Sequence, residues 1–454
     1  CDIVKYLHKR PLKMRDEIIT TTMPTDSLVH KTPAKKLINM CTGCSLCKEM
    51  CPGQIDLEDM IKDARRILHK TERMPGIYHQ FWVKDMEFAN GKYASLTRMP
   101  PEGDKCEYAF FPGCHLGAAE PSYVFETYKL LLKANRDIGL LLMCCGIPVA
   151  WAGDEKKHAD VIEKFKKHWN SLGQPVLICA CPSCMKHLRE YASEIRIVSV
   201  YEKLFEWDLI SKSDNVQDET YSIFDPCSAR NEKAMQNAVR KITGKIGIGT
   251  EELPSGNIHG CCGFGGNIEV ASPEMVESIA EERSSLSENP YISYCINCRD
   301  IFFDQKKPVK HILDFIPGVK SPKYRLPTVT ERRANRVALK DKLLREIWHE
   351  EMADKPVRKY DLVLSDTVSM KLNSLKILEE DICYVLEMGE INGRRMYFSD
   401  TNSYKCYREI GSMTCWVEYR KNAERYEILN VYTHRLKIVL EGVWNGKKVD
   451  TNMR

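Results

Sequence analysis

The chain has 454 residues, a formal charge of +4 and 20 cysteines, with 43% hydrophobic and 29% charged residues. This length allows about two to four domains, the balance is that of a globular chain, and no apolar run reaches the ~18 residues that span a bilayer. The charge is too small to call for nucleic acid, and so many cysteines with no secretory signal or lipidation motif point to metal ligation in a reducing cytoplasm.

The first phrase, Cys1-Asp2-Ile3-Val4, reads as the tail of a motif whose start is missing. Then comes Cys41-x2-Cys44-x2-Cys47-x3-Cys51-Pro52, the run that wraps a cubane [4Fe-4S] cluster in bacterial ferredoxins. In two-cluster ferredoxins the fourth cysteine serves the other cluster, which leaves two readings open. Either Cys41, Cys44, Cys47 and Cys51 hold one cube, or Cys1 completes Cys41, Cys44 and Cys47 while Cys51 serves a second. Residues 56–69 have helical spacing with acidic residues in the first turns. Residues 71–105 show little periodicity and read as a connecting segment.

From residue 108, strands alternate with helices. Residues 108–111, 138–143, 175–178 and 195–200 read as strands, and 122–134 and 155–172 as helices. The plan repeats: 221–224 leads to a helix near 232–243, 257–260 leads to a second cysteine pair, and 273–286 is a helix before 291–294. Such alternation predicts parallel α/β sheets, whose ligand-bearing loops meet at the carboxyl ends of the strands.

The cysteines follow the same duplication. Cys114, Cys144, Cys145, Cys181 and Cys184 are spaced C-x29-CC-x35-C-x2-C, and Cys227, Cys261, Cys262, Cys295 and Cys298 are spaced C-x33-CC-x32-C-x2-C. Five soft thiolates favour zinc, copper(I) or iron–sulfur, and a lone zinc ion takes only four. The fifth therefore points to an iron–sulfur cluster, against the blander reading of buried cysteines or disulfides. Gly263, Gly265 and Gly266 would let the backbone bend around cluster sulfides. His115 and His259 flank ligand positions, as proton donors to a departing thiolate or as hydrogen-bond partners of sulfur. Cys106 and Cys179 read as bystanders.

The phrases FFPGC (110–114), MCCG (143–146), CPSC (181–184), DPC (225–227), GCCGFGG (260–266) and CINC (295–298) resemble the CCG-domain family, best known from the catalytic B subunit of heterodisulfide reductase. The segment before them resembles the C subunit of that system, or the iron–sulfur subunits of anaerobic glycerol-3-phosphate and lactate dehydrogenases. The resemblance implies a non-cubane [4Fe-4S] cluster in each five-cysteine set and a disulfide split between them, with Cys144, Cys145, Cys261 and Cys262 at the centre of the chemistry. One departure is Ser228, where many relatives carry a histidine.

Beyond residue 317 the chain is Pro-rich and basic, with twelve Lys or Arg against three Asp or Glu between Lys306 and Arg345. This is a solvated face or a surface for an acidic partner. A long helix over 331–351 follows, then a helix at 374–388 and alternating stretches at 395–399, 403–408, 414–419 and 427–432, a small α+β domain with an antiparallel sheet. Cys383, Cys406 and Cys415 have no ligand spacing. The expected organisation is a ferredoxin-like segment (1–70), a connecting segment (71–105), two CCG halves (106–215 and 216–318), a basic linker and helix (319–358) and an accessory domain (359–454). With no flavin or nicotinamide fingerprint in the chain, electrons are expected from a flavoprotein or another iron–sulfur subunit, through one or two cubane clusters, to a disulfide. The alternative is a module that only relays electrons between a flavoenzyme and a quinone or other carrier. An open cavity between the two sets favours chemistry, and a site plugged by side chains favours relay.

Overall fold

The computed structural model describes residues 2–23, 31–51, 55–103, 105–212, 219–254, 258, 260–320, 325–434, 443–444 and 447–448. The chain divides into two compact units, one of Cys1–Pro327 and Glu331–Pro356, the other of Thr328–Thr330 and Val357–Arg454.

The larger unit is built on two sheets. In the first, β1 (Leu96–Arg98), β2 (Tyr108–Phe111), β3 (Ile138–Leu142), β4 (Val176–Cys179) and β5 (Ile197–Ser199) lie in the order β1-β3-β2-β4-β5. All pairs are parallel except β1, which runs antiparallel along β3. In the second, β6 (Thr220–Phe224), β7 (Gly249–Glu252), β8 (Tyr291–Ser293) and β9 (Val309–His311) lie in the order β7-β6-β8-β9, all parallel. With β1 set aside the two orders match strand for strand, so the duplication written in the cysteines is also a duplication of fold. Parallel neighbours end at the same edge, which brings the loops after β2, β3 and β4, and those after β6 and β8, to one rim of each sheet.

The helices packed on these sheets begin where local chemistry predicts. Leu57–Lys70 starts at Asp56, whose carboxylate accepts from the Asp59 N–H, and buries Leu57, Ile61, Ala64 and Leu68 along one stripe. Pro121–Ala134 starts with a proline at its first position, and Glu155–Ser171 is capped by Asp154.

Three expectations need correction. The strand described before the second cysteine pair is Gly249–Glu252; of the stretch 257–260, Asn257 and His259 lie outside the described residues, and Ile258 is 57% exposed. β7 is an edge strand with every residue exposed, so it carries no apolar run to read, whereas β3 is buried along its whole length between β1 and β2. The segment 71–105 is more than a connection, since it holds a helix, Gln80–Ala89, and β1. The helix expected over 331–351 is Val329–Leu343 followed by a wider turn, Leu344–Trp348.

Tyr201 ties the two halves together. Its buried hydroxyl donates to the Tyr294 carbonyl at 2.8 Å and lies 3.1 Å from the Ala180 carbonyl. Tyr201→Phe is expected to cost about 1–3 kcal/mol, because it leaves buried carbonyls without their donor. Urea denaturation checks this.

In the smaller unit, β10 (Asp361–Leu364), β11 (Met396–Phe398), β12 (Ser403–Ile410), β13 (Met413–Asn422) and β14 (Arg425–His434) form a sheet in the order β10-β14-β13-β12-β11. Its meander is antiparallel as expected, while the unpredicted β10 joins parallel to β14. The single helix expected over 374–388 is two helices, Asp366–Leu375 and Glu379–Glu390, separated at Lys376 by a left-handed turn. Cys406 and Cys415 are core residues beside Val417 and Ile428.

Candidate metal centres

The structure brings each five-cysteine set together. In the first, side-chain contacts run Cys114 to Cys144, Cys144 to Cys145, Cys145 to Cys184 and Cys184 to Cys181. In the second, they run Cys227 to Cys261, Cys261 to Cys262, Cys262 to Cys298 and Cys298 to Cys295, the same chain at every equivalent position. Neighbouring sulfurs pull some thiols down: Cys144 and Cys184 act on Cys145, Cys184 on Cys181, and Cys227 and Cys262 on Cys261. Backbone N–H groups also point at the sulfurs, with Gly263 donating to Cys261 Sγ at 3.3 Å and Gly146 to Cys144. Among the described residues, no three Cys, His, Asp or Glu side chains surround a single-ion position. Five buried or partly buried thiols in contact, with peptide donors aimed at sulfur, suit an iron–sulfur cluster.

Cys179 is explained by the duplication. Its Sγ donates to the Cys181 carbonyl at 3.4 Å, and at the matching position Ser293 Oγ donates to the Cys295 carbonyl at 3.5 Å. A hydroxyl does the same work in the other half, so the thiol there serves the turn. Cys106 likewise donates to the Tyr108 carbonyl, at 3.1 Å.

The ferredoxin-like loop packs on the second set. A side chain on Gly265 would place Cβ 2.1 Å from the Thr42 carbonyl oxygen, and on Gly266 1.9 Å from that of Cys41. These glycines let one loop backbone lie against another, which is a different use from bending around sulfides. Cys44 packs with Cys227, Cys261 and Cys262. Burial pushes the Cys44 thiol up to about 11, with the nearby Cys261 adding to the effect, and the Cys41 thiol up to about 12. Cys47 lies in the short helix Leu46–Met50, and the Cys51 N–H donates to its carbonyl at 3.0 Å. Cys1 lies outside the described residues.

A buried and a half-buried cation hold this loop. Arg65 donates to the carbonyls of Ile38, Cys41 and Trp151 at 2.8, 3.1 and 3.0 Å. Lys186, on the helix that follows Cys181, donates to Ser45 at 2.7 Å and to the Gly43 carbonyl at 3.2 Å, and it pairs with Glu58 at 3.4 Å. Burial alone would raise the Glu58 carboxyl, but Lys186 and Lys62 overcome it and hold the group down at about 2. A carboxyl so depressed stabilises the fold above its unfolded value of 4.5, and that stability is lost as pH falls from there towards about 2. Glu58→Gln is therefore expected to cost on the order of 3 kcal/mol at pH 7. Urea denaturation of both proteins from pH 7 to pH 4 should show the gap narrowing below about 4.5.

A cleft opens on the second set, and all five of its cysteines line it. Its walls include Thr42 and Gly43 of the ferredoxin-like loop, Trp151 and Lys186 of the first half, and Phe264 of the second. Ser183 and Ser228 bridge the two halves at its edge, 2.9 Å apart. None of the first set's cysteines lines it. There His115, bonded to Cys114, stacks on Trp82 with ring centres 5.9 Å apart and meets Phe264 edge-on at 5.4 Å. His115 thus sits in an aromatic plug between the sets and is not a lining residue of the cleft. His259 lies outside the described residues.

Sequence reading missed the residues of 71–105 that serve the first set. Asn90 Oδ1 accepts from the Cys144 N–H at 2.7 Å, Trp82 packs on His115, and Asp85 pairs with Arg336. Arg336 in turn donates to the Cys114 carbonyl at 2.9 Å. The basic helix is therefore neither a solvated face nor free for a partner along this side.

The fold and the two thiol sets define a duplicated cysteine-rich iron–sulfur protein. The chain carries two copies of the CCG cysteine-rich domain, matched at residues 108–189 and 221–300. It is 24% identical over 309 residues to the D subunit of dihydromethanophenazine:CoB–CoM heterodisulfide reductase from Methanosarcina acetivorans, covering 60% of this chain and 74% of that one. It is 23% identical over 277 residues to the B subunit of fumarate reductase (CoM/CoB) from Methanothermobacter marburgensis, covering 57% of this chain and 55% of that one. No helix among the described residues is long and apolar enough to cross a membrane.

Proposed function

We propose that this chain is an iron–sulfur oxidoreductase subunit of the heterodisulfide reductase type, reducing a disulfide with electrons from a flavoprotein or another iron–sulfur partner. One observation carries the reading: the second thiol set forms the wall of an open cleft and packs against the ferredoxin-like loop through Cys44. The relatives named above are themselves subunits of reductases.

In this reading Cys114, Cys144, Cys145, Cys181 and Cys184 hold one non-cubane [4Fe-4S] cluster, and Cys227, Cys261, Cys262, Cys295 and Cys298 hold another. The loop of Cys41, Cys44 and Cys47 holds a cubane cluster with Cys51 or Cys1. Bound there, such clusters supply one-electron transfer and an iron able to take a substrate sulfur. Cleavage of a disulfide consumes two electrons and two protons and releases two thiols. The protein's own part is to admit the substrate beside the second set, between the apolar walls of Trp151 and Phe264. Ser183, Ser228 and Asn297 offer hydrogen bonds there.

The aromatic plug of Trp82, His115 and Phe264 favours relay for the first set, so the chemistry is one-sided: bond cleavage at the second set, electron holding at the first. The test is anaerobic purification with the native partners, iron and acid-labile sulfide analysis, and turnover with a panel of disulfides against a quinone analogue. Thiol release from a disulfide supports the reading. Reduction of the quinone alone supports the relay module, and zinc without sulfide ends both.

A further inference from the structure

The two thiol sets have the same ligands and the same fold but different charges beside them. At the first set, Arg336 is 5% exposed, donates to the Cys114 carbonyl at 2.9 Å, and grips Asp85 with two bonds of 2.9 and 2.8 Å. Asp85 is also paired with Arg333 at 3.2 Å. Burial alone would raise the Asp85 carboxyl, but the two guanidiniums hold it far below the usual range, so it stays charged. Two cations face one anion, and the excess positive charge lies against Cys114 and Cys144.

At the second set the nearest charges balance, one anion to one cation. Asp2 and Arg283 pair beside Cys261, and Arg283 also pairs with Glu282, whose other partner is the exposed Lys5. Cys44 adds a further ligand sulfur next to Cys227 and Cys261. Further out, Arg299, which follows Cys298, and Arg332 both pair with Asp300, at 2.9 and 2.6 Å, and the Arg299 guanidinium lies over the Tyr123 ring at 5.7 Å.

A buried positive charge stabilises the more negative, reduced form of a nearby cluster, and a buried negative charge destabilises it. We propose that Arg336, with Arg333 and Asp85, makes the first set the higher-potential of the two. Electrons that enter beside the second set then come to rest at the first, which stores one while the cleft awaits its substrate. Arg336 is a positioning residue in this scheme, since it touches the ligand backbone and not the substrate. The inference rests on each set holding a cluster.

The experiment is a redox titration of the whole chain, purified anaerobically and followed by electron paramagnetic resonance. Iron and sulfide content are measured on every variant. Wild type should show two separate non-cubane steps. Arg336→Gln should move the upper step to more negative potential and leave the lower one in place, and Arg336→Lys should restore most of the shift. Asp85→Asn, which removes the anion and keeps both arginines, should move the same step the other way. Asp2→Asn should raise only the lower step. Opposite shifts from the two halves of one ion pair are the signature of charge, since a packing defect would push both variants in one direction. Shifts of the same sign, or an unmoved upper step in both, overturn the proposal. If Arg336→Gln fails to retain iron, the Asp85→Asn shift decides alone. Iron and sulfide too low in wild type to fill both sets would instead sink the underlying functional reading.

Discussion

Exchanging Cys261 and Cys262 together for serine is expected to abolish turnover and remove the iron of the second set, while the first set keeps its own. These two residues are the middle links of the sulfur chain from Cys227 to Cys295, and they line the cleft. Serine places a harder oxygen where the metal asks for sulfur, so both central ligands weaken at once. The same exchange at Cys144 and Cys145 should empty the first set and leave the second loaded and open to substrate. Residual turnover is then expected, slowed because only one electron is held in reserve. Iron and sulfide per chain, with single-turnover thiol release, separate the two variants. Equal loss of activity from both would argue that the sets share the bond chemistry.

Gly266→Ala is expected to have the largest effect of any single methyl. The new carbon would sit 1.9 Å from the Cys41 carbonyl oxygen, and Gly266 already has φ of +70°. Backbone cannot swing aside as a side chain can, so the loops must part. The cost should be about 2–4 kcal/mol from overpacking and left-handed strain together. Parting them also separates Cys44 from Cys261, so reduction of the second set by a donor acting at the ferredoxin-like loop should slow markedly. Denaturant melts and stopped-flow reduction check the two effects. Normal stability with normal reduction would mean that the loops do not meet here.

What could be read from the chain alone follows the range of the forces involved. The helix Leu57–Lys70 was legible because its cap and its stripe are local. β2, β3 and β4 were legible because burial on both faces writes an unbroken apolar run. The two cysteine sets that the fold brings together were legible because sulfur chemistry constrains both type and spacing. β7 was not, since an exposed edge strand needs no particular side chains. The helix Gln80–Ala89 was missed because it buries only Asp85, Met86 and Ala89, and its Asp85 is justified by an arginine far along the chain. No local pattern announces that Arg333 and Arg336 turn inward from a basic helix. The cleft itself is assembled from three segments that only the tertiary fold brings together.

The strand that breaks the match between the two sheets also breaks their equality. β1 seals one flank of β3, and the same stretch of chain supplies Trp82, Asp85 and Asn90 to the thiols behind it. The copy built on β6 has no such cover on β7 among the described residues. A duplicated scaffold starts with twin workplaces. One added edge strand is enough to enclose the first and leave its sibling open, an asymmetry reached without changing a single cysteine of either set.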